Sequence, residues 1–300
     1  MHDLEPTIRA RELGIALRRA AQAKELRATE IAQQLGWSNS RVSRFYSGKR
    51  GSGNRDDIVA VLALCGITGP KRDELLELSS RAYEEGWWQQ YGDRLPPELC
   101  TLSNYEDAAI AITNFETSVV PGLLQTPAYM HALMSRTPAI PPDEIDQRIQ
   151  VRRQRQRIFN REYPAKFVFF LDEYALLRTG PGEEIMCEQV HHLLRMAIRP
   201  YIEIRIIPDA VGFHAGRMPF LLMRFTELQP IVFIENQTSA LFLERKDTVA
   251  GYRRIVAGID RVALDEQRSR EALANLASDL GEAREDCDEH APPLEEEFPQ

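Results

Sequence analysis

Between Ala28 and Gly48 the chain sets two short apolar-patterned segments on either side of a glycine, and few folds accommodate that spacing. In "ATEIAQQLG", Ile31 and Leu35 stand four apart on one helical face, and Ala32 is small enough for close helix contact. Gly36 follows, a residue that takes a left-handed turn without a Cβ clash. Ser38 then occupies an N-cap position before "NSRVSRFYSG", whose inward residues are Val42 and Phe45 and whose end is Gly48. Two short helices joined by a glycine turn make a helix-turn-helix, which needs neighbouring helices to cover its apolar side.

The flanking sequence supplies them. From Ile8 to Leu26, the residues Leu13, Leu17, Ala20 and Ala21 form an apolar stripe at helical spacing. Asn54 is placed to cap "RDDIVAVLALCG", with Ile58, Val61, Leu62 and Cys65 facing inward. Pro70 suits the first turn of a further helix over 71–84 that carries Leu75, Leu76 and Leu78. The expectation is an all-α domain of five helices over residues 1–84.

Charge separates this region from the rest. The chain has a formal net charge of -8, yet residues 1–68 hold 11 Lys/Arg against 7 Asp/Glu, a balance of +4 that leaves -12 elsewhere. The N-terminal part is therefore the one suited to a polyanion. Part of the negative excess lies in "EAREDCDEHAPPLEEEFPQ" (282–300), with eight acids, one Arg and three prolines, a composition too poor in apolar residues to build a core. It is expected to be a disordered acidic tail.

Beyond residue 84 the pattern changes. "EEGWWQQYGDRLPPEL" has no steady period, so residues 85–103 are expected to form a linker that docks through Trp87 and Trp88. Helices are expected near 104–116, 126–135, 142–159, 183–198, 247–261 and 266–280. Between them lie β-rich runs, "KFVFFL", "YIEIRIIP", "PFLLMRF", "IVFIE" and "LFLE". The simplest assembly over 104–281 is an α+β domain with a mostly antiparallel sheet, so the chain is multidomain.

Several chemistries lack their residues. Cys65, Cys100, Cys187 and Cys287 are far apart, without a C-x-x-C pair, which argues against a zinc knuckle or a disulfide framework. Cys187 and His191 share a helical face with His192 adjacent, but two further ligands are missing from the neighbourhood, so no metal is expected. Asp172, Glu173, Glu183 and Glu184 flank a turn without a nucleophile motif, a phosphate-cradling glycine loop or an H-E-x-x-H helix. Neither an enzyme nor a cofactor is expected, unless a pocket in the folded domain brings distant carboxylates and His214 together. No apolar stretch approaches the ~18 residues that span a bilayer, and the expected location is the cytoplasm, without a membrane partner.

The segment 37–50 carries the chemistry that remains. It holds four basic and five small polar side chains around a thin apolar thread. A helix held by a turn can place its first residues in the major groove, and helix N-termini attract phosphate oxygens. Asn39 can pair with adenine, and Arg41 and Arg44 with guanine. Ser40 and Ser43 can bond base edges or phosphates, while Lys49 and Arg50 are better placed for the backbone.

"LRATEIAQQLGWSNSRVSRFYSGKR" (26–50) resembles, without a gap, the helix-turn-helix of the phage-repressor-like XRE family, which implies a lambda-repressor-like fold. The resemblance carries the family's base-reading positions onto Asn39, Ser40 and Arg44, with Arg41 also exposed, and a phosphate-contacting position onto Ser47. Ser38 belongs to the same DNA-facing stretch. Where the family often has a phosphate-touching Gln, this chain has Ala28, so Arg27 or Thr29 is the expected replacement.

Further on, "GWWQQYGDRLP", "FETSVVPGLLQTPAYMHAL", "RRQRQRIF", "IEIRIIPDAVGFHAG", "MPFLLMRF" and "VFIENQTSALFLE", in that order, are similar to the large C-terminal domain of actinomycete XRE regulators of the WhiJ-like type. That resemblance implies a transcription regulator whose C-terminal domain binds a small partner protein, in an antitoxin-like manner. It departs from the pattern at "ENQTSALFLE", which replaces a more Gly-rich loop, and in its long acidic tail.

Two features of the C-terminal part bear on partners. "DEIDQRIQVRRQRQRIFNR" (143–161) strings Arg148, Arg152, Arg153, Arg155 and Arg157 along one helix, a face that is either solvated or turned to an acidic partner. "TSVVPGLLQTPAYM" (117–130) offers Val119, Val120, Leu123, Leu124, Tyr129 and Met130 as core or as pocket lining. The combined expectation is a homodimeric, sequence-specific regulator on a double-stranded DNA operator, with a protein partner at its C-terminal domain. The alternative is a one-component regulator whose C-terminal domain senses a small molecule near "VVPGLLQ" and "DAVGFHAG".

Overall fold

The structure is a computed structural model and describes residues 7–49, 53–82, 97–178, 180–236 and 239–289. Chain contacts divide it into two compact units, one of residues 1–111 with 223–231 and the other of residues 112–222 with 232–300.

In the first unit α1 (Ile8–Ala23) is capped by Thr7, whose hydroxyl accepts from Ala10 N at 3.1 Å. α2 (Ala28–Leu35) ends at Gly36 with φ 65°, and α3 (Asn39–Tyr46) begins where Ser38 Oγ accepts from Arg41 N at 3.2 Å. α4 (Arg55–Leu64) opens on a reciprocal pair in which Asn54 Oδ1 accepts from Asp57 N at 2.9 Å and Asp57 Oδ2 from Asn54 N at 2.8 Å. α5 (Gly69–Ala82) carries Pro70 in its first turn. Leu13, Leu17, Ile31, Val42, Phe45, Ile58, Val61, Leu62 and Leu75 bury together as one core, so the helix-turn-helix gains the apolar cover that its own two helices lack.

Small residues fix how closely α3 approaches α1. A Cβ at Gly14 would lie 2.2 Å from Tyr46 O, and one at Gly48 would lie 2.5 Å from Ala10 C. The last turn of α3 is thereby seated on α1 at backbone contact.

α6 (Pro97–Ala108) also belongs to this unit; Asn104 Oδ1 accepts from Ile8 N at 3.1 Å, and Asp107 pairs with Arg9 at 2.8 Å. The unit is completed by residues 223–231. Glu12, buried on α1, accepts from Glu227 N at 3.1 Å, and the Glu227 carboxylate pairs with Arg19 at 2.7 Å and Lys71 at 3.4 Å. Burial pushes the Glu12 carboxyl above its ordinary range, against the backbone amides of 226–228, which favour its charged form.

The second unit is α+β. Among the described residues the strands are β1 (Ala111–Glu116), β2 (Lys166–Asp172), β3 (Ile202–Ile207), β4 (Phe220–Arg224), β5 (Ile231–Glu235) and β6 (Ala240–Leu243). They form an open, mostly antiparallel six-stranded sheet in the order β3-β2-β1-β4-β5-β6. β2 and β3 are parallel, Phe167 opposite Ile202, and their crossover carries α9 (Tyr174–Leu177) and α10 (Glu183–Met196). β5 and β6 are antiparallel, Val232 opposite Leu243.

The side chains of β2 alternate. Phe167 and Phe169 stack on one face, 6.0 Å apart, beside Phe159, while Phe170 joins Phe115, Phe220 and Val232 on the other. α11 (Lys246–Asp260) covers that second group with Val249 and Ile259. α12 (Glu266–Glu289) ties to β3 through Ser269 Oγ, which accepts from Ile206 N at 3.0 Å. α12 continues into the segment expected to be an acidic tail; residues 290–300 lie outside the described residues.

The helix expected over 104–116 needs correction. The helical part is α6, and 111–116 is β1, hydrogen-bonded between β2 and β4 in the sheet. Ile112, Asn114 and Phe115 are buried, and Asn114 Nδ2 donates to Phe220 O at 3.1 Å. Non-local pairing overrides a local pattern too short to separate helix from strand. The helices expected near 126–135, 142–159 and 183–198 are present as α7 (Pro127–Met134), α8 (Ile145–Gln156) and α10. Trp87 and Trp88 fall outside the described residues.

Candidate nucleic-acid interface

α3 divides by its period. Val42, Phe45 and Tyr46 enter the core, while Asn39, Ser40, Ser43, Arg44 and Ser47 are all exposed, at spacings that keep them on one side of the helix. Ser38 is exposed too, but its hydroxyl is engaged as the cap and lies 3.0 Å from Ser40 Oγ. Ser47 Oγ donates to Arg44 O at 2.8 Å, which fixes the hydroxyl while leaving its oxygen able to accept. Lys49 is exposed just past the helix, and Arg50 lies outside the described residues.

Arg41 goes elsewhere. It is half-buried, its Nη2 donates to Asp57 Oδ2 at 2.8 Å, and its guanidinium lies 4.3 Å from the centroid of the Trp37 ring. Asp57 Oδ2 already accepts from Asn54 N, so Arg41 joins α3 to the first turn of α4. A residue that reads as a base contact in sequence thus holds the recognition helix in place.

At the start of α2, Thr29 is exposed, whereas Arg27 is bound to Glu30 through Nε at 3.1 Å and Nη2 at 2.8 Å. Arg27 holds the Glu30 carboxyl below its ordinary range. Of the two expected replacements for the missing Gln, Arg27 is therefore already committed to a carboxylate, and Thr29 is the better placed; the Ala28 side chain itself offers no hydrogen bond.

Beside the exposed face of α3 runs a concavity of about 560 Å³ lined by Arg18, Gln22, Arg27, Asn39, Ser43 and Tyr46, among others. Arg18 lies 5.4 Å from the Tyr46 ring centroid, and burial pushes the Tyr46 hydroxyl up to about 12. Sequence reasoning missed Arg18 and Gln22. Their signal was present, because 18 and 22 stand four apart on the outer side of the α1 stripe, but only folding sets them beside Asn39. The face therefore combines amide, hydroxyl and guanidinium groups on a short capped helix, next to a groove with a cationic wall.

The remaining candidate groups do not assemble in this way. Among the described residues no three His, Cys, Asp or Glu side chains are placed to hold a metal ion. Burial and nearby Arg195 and Arg199 push the His192 imidazole below its ordinary range. His214 does meet a distant carboxylate, with Nε2 3.4 Å from Asp172 Oδ2, while its Nδ1 accepts from Gly216 N at 3.2 Å. Glu183 and Glu184 fill the first turn of α10, where carboxylates complement the helix dipole. Val120, Leu123, Leu124, Tyr129 and Met130 are buried core, with Val119 half-buried. Among the described residues no helix is long and apolar enough to cross a membrane.

Two family models match the chain. A helix-turn-helix domain model matches residues 12–75, and the model of a domain of unknown function, DUF5753, matches residues 99–275. No curated protein and no solved structure matches the chain.

Proposed function

The chain belongs to the DUF5753 family, with a helix-turn-helix domain ahead of the family's own domain, and on that basis we propose that it is a sequence-specific transcription regulator. The observation that carries this reading is the exposed set Asn39, Ser40, Ser43, Arg44 and Ser47 on a short capped helix seated at backbone contact on α1. In this reading Asn39 and Arg44 read bases, Ser40 and Ser43 bond base edges or phosphates, and Thr29, Ser47, Lys49 and Arg50 hold phosphates. No step of it is catalytic.

One such helix sees too few base pairs for useful selectivity, so the protein acts as a homodimer on inverted half-sites. Fluorescence anisotropy with DNA from upstream of its own coding sequence tests the assignment. Binding should prefer that DNA over a scrambled duplex and weaken steeply with salt. Equal affinity for both duplexes, unchanged in Asn39→Ala/Arg44→Ala, would overturn it.

The larger domain is proposed to hold a small partner protein in an antitoxin-like manner. Phe213 and Met218 support that reading, because both large apolar side chains stand exposed in the stretch between β3 and β4. Native purification with intact-mass analysis should find a stoichiometric small protein that Phe213→Ser/Met218→Ser releases. A partner-free chain under native conditions would count against it. The half-buried charged side chains of Glu116 and Arg152 favour a second reading, that this domain senses a small molecule.

A further inference from the structure

In the concavity beside α3, four polar side chains meet with their hydrogen-bonding capacity unspent. Arg18 and Gln22 come from α1, one turn apart, and Asn39 and Ser43 come from α3, also one turn apart. All four are exposed, and none of their side chains makes a hydrogen bond or an ion pair among the described residues. Their neighbours are already engaged. Arg27 is held by Glu30, Arg41 by Asp57, the Ser38 hydroxyl by Arg41 N, and the Ser47 hydroxyl by Arg44 O.

Arg18 is positioned without being consumed. Its guanidinium lies over the Tyr46 ring, 5.4 Å from the centroid, and Tyr46 is only 7 % exposed, packed into the core of the unit. Stacking on a ring face orients the planar fork and leaves its N–H donors free. Such a fork suits the paired oxygens of a phosphate.

The rest of the lining selects what accompanies that charge. Ala21, Leu26, Ala28 and the Tyr46 ring make part of it apolar, and the whole encloses about 560 Å³, more than a bare phosphate fills. Among the described lining residues Arg18 is the cation without a carboxylate partner, and Glu25, past the end of α1, is the carboxylate. One free cation beside one carboxylate disfavours a polyanion. A group with a single negative charge and a carbon-rich body fits both the charge and the apolar surface. Asn39 and Ser43 stand on the exposed face of α3 as well as on this lining, so a DNA strand read by that face passes the concavity.

We infer that the concavity seats one deoxyribose-phosphate unit of the operator, its phosphate on the Arg18 guanidinium and the Gln22 amide and its sugar against the apolar lining. This deepens, and rests on, the reading of α3 as the DNA-facing helix. Every nucleotide carries the same sugar and phosphate, so the contact sets the register of α3 without selecting a base. It supplies from α1 a backbone contact that the Ala28 side chain cannot make.

The test is anisotropy of the full-length chain over a salt series, on the upstream duplex and its scrambled counterpart. Arg18→Gln should weaken both alike, by roughly fivefold at about 0.15 M salt, the counterion release of one phosphate, and should reduce the salt slope by about 1. Arg18→Lys should restore the slope but only part of the affinity, because an ammonium lacks the planar fork. Ala28→Leu alters no charge and sets apolar bulk into the space, so it should also weaken both duplexes, whereas Glu25→Gln should strengthen both. Preference for the upstream duplex, with affinity and slope indifferent to Arg18→Gln, overturns the seat and leaves the reading of α3 intact. A loss confined to the upstream duplex makes Arg18 a base reader and overturns it too. An effect of Arg18→Gln with none from Ala28→Leu means a charge acting through space with nothing seated, which again overturns it. Equal affinity for both duplexes with the slope change present keeps the backbone seat and overturns only base reading, and no binding to either duplex removes both.

Discussion

Arg44 on α3 and Arg152 on α8 are the same side chain in opposite settings. Arg44 stands in open solvent beside hydroxyls and an amide, where hydration costs nothing and a phosphate or base edge can approach freely. Arg152 is half-buried, its Nη1 donates to Gln125 Oε1, and burial pushes its guanidinium down to about 10. Arg41, three residues before Arg44, is a third case, spent on Asp57 and Trp37. An arginine's role depends on what has already bound it and on how much water is left around it, and sequence position reports neither.

The largest effect expected from this contrast is on DNA. Asn39→Ala/Arg44→Ala should lose about 2–6 kcal/mol of operator affinity, two base contacts together, with little change in melting temperature because both side chains are exposed. Anisotropy beside a thermal melt checks this, and a collapse of stability would mean that the exposed face is structural after all.

Next in size is the titration of Glu116. Glu116 in the native state lies above its ordinary 4.5, near 7, so the unfolded chain releases this proton first as pH rises. The stability is present below 4.5 and lost as pH climbs through about 7, by up to about 3 kcal/mol from this one group. Urea unfolding across that range should show the loss in the natural chain and its absence in Glu116→Gln. Parallel curves for the two would place Glu116 in ordinary solvent and dissolve the contrast.

Arg41→Ala should cost about 1 kcal/mol of stability in the first unit, since its ion pair is partly exposed and its stacking on Trp37 contributes a comparable share. Arg44→Ala should cost almost none. If instead Arg41→Ala leaves stability untouched and abolishes operator selectivity, the assignment of the two arginines is reversed. The smallest expected effect is at Lys49, where substitution by Ala should weaken all duplexes alike and reduce the salt slope by about 1.

Much of the first unit is legible in the unfolded chain. The Ile31/Leu35 and Val42/Phe45 pairs, Gly36 and Ser38 are short-range signals, and each acts through neighbours within one or two turns. The β-rich runs of the second unit are legible for a similar reason, because a run of aromatic and β-branched residues over five to seven positions needs no partner to be seen. β1 is not, since "AITNFE" is too short and too mixed to show a period, and the pairing that makes it a strand comes from residues far along the chain. The expectation of one basic face on 143–161 meets the same limit: Arg148 binds Glu144 at 2.8 Å, just ahead of its own helix, whereas Arg152 donates to Gln125, far from it in sequence.

Periodicity, caps and turn residues are local properties of the chain, and they suffice for the helix-turn-helix, the inward and outward faces of α3 and the α+β character of the larger domain. No local signal could tie Arg41 to Asp57 of α4, close Glu227 over Glu12, or bring Arg152 to Gln125. Those outcomes depend on desolvation and on contacts between distant segments, and both exist only once the chain has folded.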